Sequence, residues 1–376
     1  MPMYEQPRPE SIEDFAARQK GDPGNNGEGM HEKARNGRAK RMKPFSGLIS
    51  SKAFIDQMKP PEFTIKDLLM RAASYTLCGP TGAGKTLVAI LMAIKVARGE
   101  WFHGKKCRKG KVAFFAAENP ENVRYQYFSI CADLDIDPRA QDIEWHKNPF
   151  DIAGSLEQTR AALLKIRNLE FVVFDSLQAL FPGDDENSNM QMLDFACCFR
   201  DLIADHPNRP ATLILAHPVK HASKDNLLPR GGGALLNELD GNLTVWADGG
   251  MANLHWQGKL RGIPFDPMKF ELVVIKPEGL ENADGDQMAM TIAKPLTEGR
   301  EAEIHQQQNR EEIATLEALV ATPSISMRAL AATVGVSRRR MEKIMETLTK
   351  RKWIRTYIDH IGLTREGERA LRKGQK

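Results

Sequence analysis

The run Gly79-Pro80-Thr81-Gly82-Ala83-Gly84-Lys85-Thr86 constrains this chain more than any other stretch. It fits G-x-x-x-x-G-K-[ST], in which glycines let the backbone wrap until successive N–H groups point inward at phosphate oxygens. Its setting agrees with that reading. Residues 74–78 predict a short strand before it and residues 86–98 a helix after it, whose N-terminus adds partial positive charge at the same spot. Lys85 would reach the β- and γ-phosphates, and the Thr86 hydroxyl would hold Mg²⁺. The alternative is a glycine turn that binds nothing.

From about residue 45 to 296 strand and helix patterns alternate around this loop. Residues 112–117 are apolar with no helical period and predict a strand. Asn119 is placed to cap the next helix, with Pro120 at its first position. Ser155-x-x-Gln158 reads as a capping box for a helix ending near Leu169. Residues 171–174 and 212–216 are unbroken apolar strands, as buried parallel sheets require, with a helix over 190–205 between them. The expectation is an α/β fold with a mostly parallel sheet. After about Leu243 the helices stop. Strands over 243–246, 253–257 and 271–275 are expected as antiparallel additions at one side of that sheet.

Polar residues stand at the tips of the apolar strands. Asp175 ends FVVFD, where a carboxylate beside a phosphate loop is placed to hold Mg²⁺ through water. Its alternative is a helix or loop cap. Glu118 ends AFFAAE and would orient and deprotonate an attacking water; its alternative is a solvated strand-end acid. His217 ends TLILAH and would hydrogen-bond the γ-phosphate or its water, reporting nucleotide state to the next segment of the chain. That segment is a long loop over 218–233 with Lys220, His221, Lys224, Arg230 and three glycines. Long loops of this kind are functional or disordered, and the basic residues favour nucleic-acid contact. Lys259 and Arg261 stand two apart on a late strand with no local partner visible, so they would share one face. In a ring they would reach a neighbour's γ-phosphate; the alternative is a basic edge that blocks aggregation.

Residues 301–376 differ in kind. A helix over 311–321, a helix-turn-helix over 326–351 with its turn at Gly335-Val336, a small hairpin and a closing helix predict a winged helix. Met341, Ile344, Met345 and Leu348 form an apolar stripe. Arg339 and Lys343 fall opposite it, with Arg338 and Arg340 on its flanks. That suits a duplex major groove, although a winged helix also serves as a protein-docking module. Net charge is only +4, but residues 303–376 carry fifteen Lys/Arg against nine Asp/Glu. A basic end on a mildly acidic middle suggests an anionic polymer as partner. Residues 1–45 read as a disordered basic arm, either a solubilising tail or a phosphate contact. No apolar run approaches the ~20 residues of a membrane span, and MPMYEQPRPE lacks a signal-peptide core, so a cytoplasmic protein without membrane contact is expected. Five cysteines without metal spacing read as free thiols in or near the core. The expected divisions are 1–45, 46–300 and 301–376.

GPTGAGKT, AAENP, FVVFDSLQAL, LILAH and KLR, in this order and spacing, resemble the RecA/DnaB-type ring ATPases. The stretches FPGDDENSN and RGGGALLNELDG resemble the plasmid- and phage-type RepA-like hexameric helicases in particular. The resemblance covers roughly residues 50–280. It implies a RecA-like core, a homohexamer, and ATP hydrolysis with Mg²⁺ between subunits. It further implies that Lys85 binds phosphate, Thr86 binds Mg²⁺, Glu118 is the catalytic base and Asp175 the Mg²⁺–water ligand. His217 would be the γ-phosphate sensor and Arg261 the finger acting in trans. Single-stranded DNA would pass through the ring and duplex would meet the winged helix. The acidic loop at 183–189 departs from a DNA-contacting role. The appended winged helix is not part of that family's core and resembles those of bacterial DNA-binding regulators. No primase-like or helicase N-terminal domain is read before the ATPase, so unwinding follows from the resemblance alone.

The first expectation is therefore a DNA-stimulated ring ATPase, a replicative-type helicase of a plasmid, phage or mobile element. A recombination or repair ATPase without unwinding and an ATP-switched DNA-binding regulator are the alternatives. A small-molecule kinase fits least, since no acceptor-site signature is visible.

Overall fold

The computed structural model describes residues 45, 47–183, 188–357 and 360–374. The expected N-terminal arm, up to residue 44, and residues 184–187 of the acidic loop lie outside the described residues. The chain divides into two units, Met1–Pro60 and Pro61–Lys376. In the first, the described residues form one short helix, α1 (Ser51–Asp56), capped by the Ser50 hydroxyl, which accepts from the Ala53 N–H. None of its residues is buried.

The second unit is built on a sheet. Its strands are β1 (Phe63–Ile65), β2 (Leu69–Met70), β3 (Ser74–Cys78), β4 (Trp101–Phe102), β5 (Lys105–Lys106), β6 (Lys111–Ala116), β7 (Ile143–His146), β8 (Leu169–Asp175), β9 (Ala211–Ala216), β10 (Gly241–Asp248), β11 (Met251–Leu260), β12 (Met268–Ile275) and β13 (Met290–Pro295). β1 with β2 and β4 with β5 make small hairpins; the other nine form one sheet in the order β13-β12-β11-β10-β3-β9-β8-β6-β7. From β7 to β10 every neighbouring pair is parallel. From β10 to β13 every pair is antiparallel.

The apolar strands follow from this arrangement. Every residue of β8 is buried. Phe171 and Val173 join the core that holds α2 (Lys85–Arg98), while Val172 and Phe174 join the core that holds the short α5 (Leu177–Leu180) and α6 (Asn189–Ile203). A strand covered by helices on both faces has no polar side, so its sequence shows no alternation. Burying one such phenylalanine contributes about 2–3 kcal/mol.

Three expectations change. The strand around Leu243 is not an antiparallel addition: β10 runs parallel to β3, with Gly241 opposite Tyr75 and Thr244 opposite Cys78. A short helix, α7 (Gly232–Glu238), hidden among the glycines of RGGGALLNE, lies on the connection that returns the chain to the same end of the sheet. The antiparallel additions are β11, β12 and the unexpected β13. Second, Ser155 precedes α4 (Leu156–Leu164) but its side chain makes no capping bond, and α4 ends at Leu164. The Ser155 ψ of 17° is not the extended conformation that aims a capping hydroxyl, and the turn before it is closed by the Asp151 side chain, which accepts from the Ala153 and Gly154 N–H groups. By contrast Asn119 caps α3 (Pro120–Asp133), accepting from the Asn122 N–H. Third, the helix expected at 311 begins thirteen residues earlier, as α8 (Glu298–Ala321). Its first half is mostly Glu, Gln and Arg, with no apolar period to read. The Thr297 cap and pairs such as Arg300 with Glu303 support it instead.

After α8 come α9 (Met327–Val334), α10 (Arg338–Lys350), the hairpin β14 (Ile354–Thr356) with β15 (Ile361–Leu363), and α11 (Arg365–Gly374). Ser326 and Ser337 cap α9 and α10, and Gly335 ends α9 at a φ of +77°. Leu316, Leu319, Leu330, Met341, Ile344 and Leu348 form a core of their own. All five cysteines are buried free thiols.

Candidate functional site

Four parallel strands end at one edge of the sheet, and the candidate residues follow their tips. After β3 the chain turns at Gly79, whose N–H donates to the Ala216 carbonyl at 3.3 Å. A Cβ on Gly79 would lie 2.2 Å from the Val245 carbonyl oxygen, so only glycine permits this approach. Gly82 and Gly84 take φ values of +79° and +93°. Gly84 caps α2 without a side chain, which leaves the first N–H groups of that helix facing the loop. Lys85 folds back across the loop: its Nζ donates to the carbonyls of Gly79 at 2.7 Å and Pro80 at 3.2 Å. It is 8% exposed, and burial lowers its pKa while Asp175 opposes that shift.

Thr86 begins the contact with metal-type ligands. Its hydroxyl donates to Asp175 Oδ2 at 2.9 Å. Asp175, at the end of β8, is 6% exposed; burial pushes its pKa up to about 6, against the Thr86 hydrogen bond. Glu118 follows β6, and its N–H donates to the Asp175 carbonyl at 3.0 Å. Its carboxyl is held down to about 2, first by the His217 side chain and against partial burial. His217 Nε2 stands 3.6 Å from Glu118 Oε1, a separation longer than a formed hydrogen bond. Thus Lys85, Thr86, Glu118, Asp175 and His217 meet at one edge, although 132 positions separate Lys85 from His217.

The other candidates lie elsewhere. Lys220, Lys224 and Arg230 are exposed on the loop after β9. The Arg230 N–H donates to the His217 carbonyl at 3.0 Å, and its Nε donates to the Pro218 carbonyl at 3.2 Å. Lys259 and Arg261 do have local partners, which corrects the reading from sequence. Lys259 Nζ donates to the carbonyls of Leu236 and Asn237 at the end of α7, at 2.9 and 2.8 Å. Arg261 pairs with Asp240 at 3.0 Å, with 68% of its side chain exposed. Asp240 stands twenty-one residues before Arg261, and only the antiparallel return of β11 beside β10 brings the two together. On α10, Arg338 pairs with Glu342 and Arg339 is exposed. Lys343 is not free either: it bonds Asp248 at the end of β10 at 2.5 Å. Arg340 bonds Glu311 on α8 at 2.9 Å.

Among the described residues no group of three or more His, Cys, Asp or Glu could hold a metal ion. A Thr hydroxyl and one carboxylate are nevertheless the donor set expected where phosphates and water fill most of the coordination of Mg²⁺. A cavity of about 340 Å³ runs along α8 by Arg300, Gln307, Arg310 and Arg340, and none of Lys85, Thr86, Glu118, Asp175 and His217 lines it. Another, of about 290 Å³, sits beside β7 against Tyr127, Trp145 and His146.

A phosphate loop after the central strand of a mostly parallel sheet, with acids at the neighbouring strand tips, defines a RecA-like P-loop ATPase core. A family model described as AAA domain matches residues 39–226, and the chain belongs to that family. No curated protein matches the chain. No helix among the described residues is long and apolar enough to cross a membrane.

Proposed function

We propose that this protein is a DNA-dependent ATP hydrolase that works as a homohexameric ring, a replicative-type helicase of a plasmid, phage or mobile element. The observation that carries the hydrolytic part is the meeting of Lys85, the Thr86–Asp175 hydrogen bond and the Glu118–His217 pair at one sheet edge. Lys85 neutralises phosphate charge. Thr86 would hold Mg²⁺ and Asp175 would hold it through water; the bound ion would supply positive charge against the developing phosphate charge. Glu118, kept ionised at neutral pH, accepts a proton from the attacking water. His217 senses the γ-phosphate, and its carbonyl contact with Arg230 supports a link to the basic loop. Arg261, largely exposed, exchanges Asp240 for a neighbouring subunit's γ-phosphate. The division into an ATPase domain over 46–300 and a winged helix over 301–376 belongs to the same reading.

The test is the ATPase rate with and without single-stranded DNA at two salt concentrations, with electron microscopy of the same sample. Stimulation that weakens with salt and closed rings support the reading; filaments favour a recombination-type ATPase. A rate indifferent to DNA overturns it. One observation favours a second reading, an ATP-switched duplex binder: Lys343 of the candidate recognition helix is bonded to Asp248 of the ATPase sheet. That reading predicts slow turnover and duplex affinity that changes with ATP.

A further inference from the structure

The loop after β9 is fixed at its base by its own backbone. Pro218 bridges Pro229, and the Val219 N–H donates to the Leu228 carbonyl at 3.0 Å. Its outer part is held differently, by two amide side chains of the sheet. Gln257 Oε1 accepts from the Leu227 N–H at 2.6 Å, and Gln257 Nε2 donates to the Lys224 carbonyl at 2.7 Å. Asn242, fully buried, donates from Nδ2 to the Leu227 carbonyl at 2.9 Å and to the Gln257 carbonyl at 3.2 Å. Its Oδ1 accepts from the Thr76 hydroxyl at 2.8 Å, and Thr76 stands on β3, the strand that runs into Gly79.

A local irregularity aims Gln257 at the loop. Gly241 pairs with Leu260 and Leu243 with Trp256, so Gln257, Gly258 and Lys259 together face Asn242 alone. Gly258 takes a φ of +75°, and a Cβ there would press within 3.2 Å of Leu228. Such bulges re-aim side chains that regular alternation would direct elsewhere. Each of the three bonds from Gln257 and Asn242 to the loop ends on main chain. They set the path of the loop without restricting which side chains it displays.

We infer that Gln257, backed by Asn242, is a positioning residue for nucleic-acid engagement: it holds the Lys220–Lys224 segment in its binding shape and ties that shape to the strand that carries the phosphate loop. This rests on the reading that the loop meets nucleic acid. The relay leaves the phosphate loop, Glu118 and Asp175 untouched, so its loss acts on the response to nucleic acid rather than on basal hydrolysis.

The experiment is steady-state ATPase activity against single-stranded DNA concentration, in the full chain, for four proteins: wild type, Gln257→Ala, Gln257→Glu, and the double variant Lys220→Ala with Lys224→Ala. Gln257→Ala should keep the basal rate and the KM for ATP within about twofold. The DNA concentration for half-maximal stimulation should rise on the order of tenfold, the scale of two lost hydrogen bonds to the loop. Gln257→Glu is isosteric and keeps the acceptor for Leu227 but cannot donate to the Lys224 carbonyl, so it should fall between the two. It also carries the test if the alanine variant folds poorly. The lysine double variant should lose most of the stimulation. If it does, while both Gln257 variants respond to DNA as wild type does, the relay is wrong and the loop reading stands. If the lysine variant is still stimulated normally, the loop reading and the relay both fall. Equal losses in basal and stimulated rates for Gln257→Glu would make Gln257 a support of the fold only, which also overturns the inference.

Discussion

Glu118 and Asp175 carry the same functional group and are pushed in opposite directions. Asp175 is enclosed, and burial raises it to about 6; Glu118 is half exposed beside His217 and is held near 2. Their strand-tip positions were legible in FVVFD and AAENP, but the directions were not, because both depend on neighbours from other strands. The prediction for Glu118→Gln is retained ATP binding with turnover lower on the order of 10²-fold or more, measured by nucleotide affinity and by rate. Unchanged turnover would make Glu118 a solvated strand end. A third carboxylate gave no signal in the sequence. Glu170, at the opposite end of β8, is 1% exposed between Arg71 and Arg108; burial raises its pKa to about 7 despite both arginines. Because its folded pKa lies above its unfolded value, its contribution to stability is full below about 4.3 and is lost as pH rises through about 7. Thermal denaturation from pH 5 to 8 should therefore show a falling limb in wild type that Glu170→Gln flattens. Parallel curves would remove Glu170 as its source.

At the scale of one element, α10 shows how far a helical wheel reaches. The stripe of Met341, Ile344, Met345 and Leu348 is buried as its period requires. The wheel also placed Lys343 opposite that stripe, where its charge should face solvent. The β10–β11 turn occupies that space and supplies Asp248, whose pKa is lowered chiefly by the Lys343 bond. No local period encodes a contact between residues 95 positions apart. Arg339 is thus the cleaner probe of duplex binding. Arg339→Ala should reduce the log–log salt slope of duplex affinity by about 0.9, the value of one phosphate contact. Lys343→Ala should change the slope less, since Asp248 already neutralises that charge. Asp248→Asn should steepen the slope by freeing Lys343. Slopes that never move would assign α10 to protein docking.

At the scale of the whole molecule the prediction concerns Arg261. Its pairing with Asp240 holds an exposed guanidinium at the sheet surface, away from its own phosphate loop in chain order. In a ring, loss of a finger is worth about 10³–10⁵ in rate, so Arg261→Ala should be nearly silent yet still bind ATP. Mixing it with Lys85→Ala subunits should restore part of the activity, because some interfaces then join an intact loop to an intact finger. Silence after confirmed co-assembly would mean that Arg261 acts within its own subunit or supports the fold. Full activity of Arg261→Ala alone would move the finger to Lys259 or Arg230.

The sequence alone determined what is local in the chain. GPTGAGKT prescribed the phosphate loop because its geometry is set by glycine φ values and one helix start. The unbroken apolar runs prescribed a buried parallel sheet because two covered faces leave no polar period. Tertiary structure decided what depends on partners distant in the chain. It put β10 beside β3, brought Glu118 to His217, closed Arg261 onto Asp240, and joined Gln257 and Asn242 to the basic loop. Some are contacts between strands whose order in the sheet differs from their order in the chain or between a strand and a loop, and the Arg261–Asp240 pair needs the full return of one strand beside another. Residue types can permit such a contact, but only the packing of the sheet selects it.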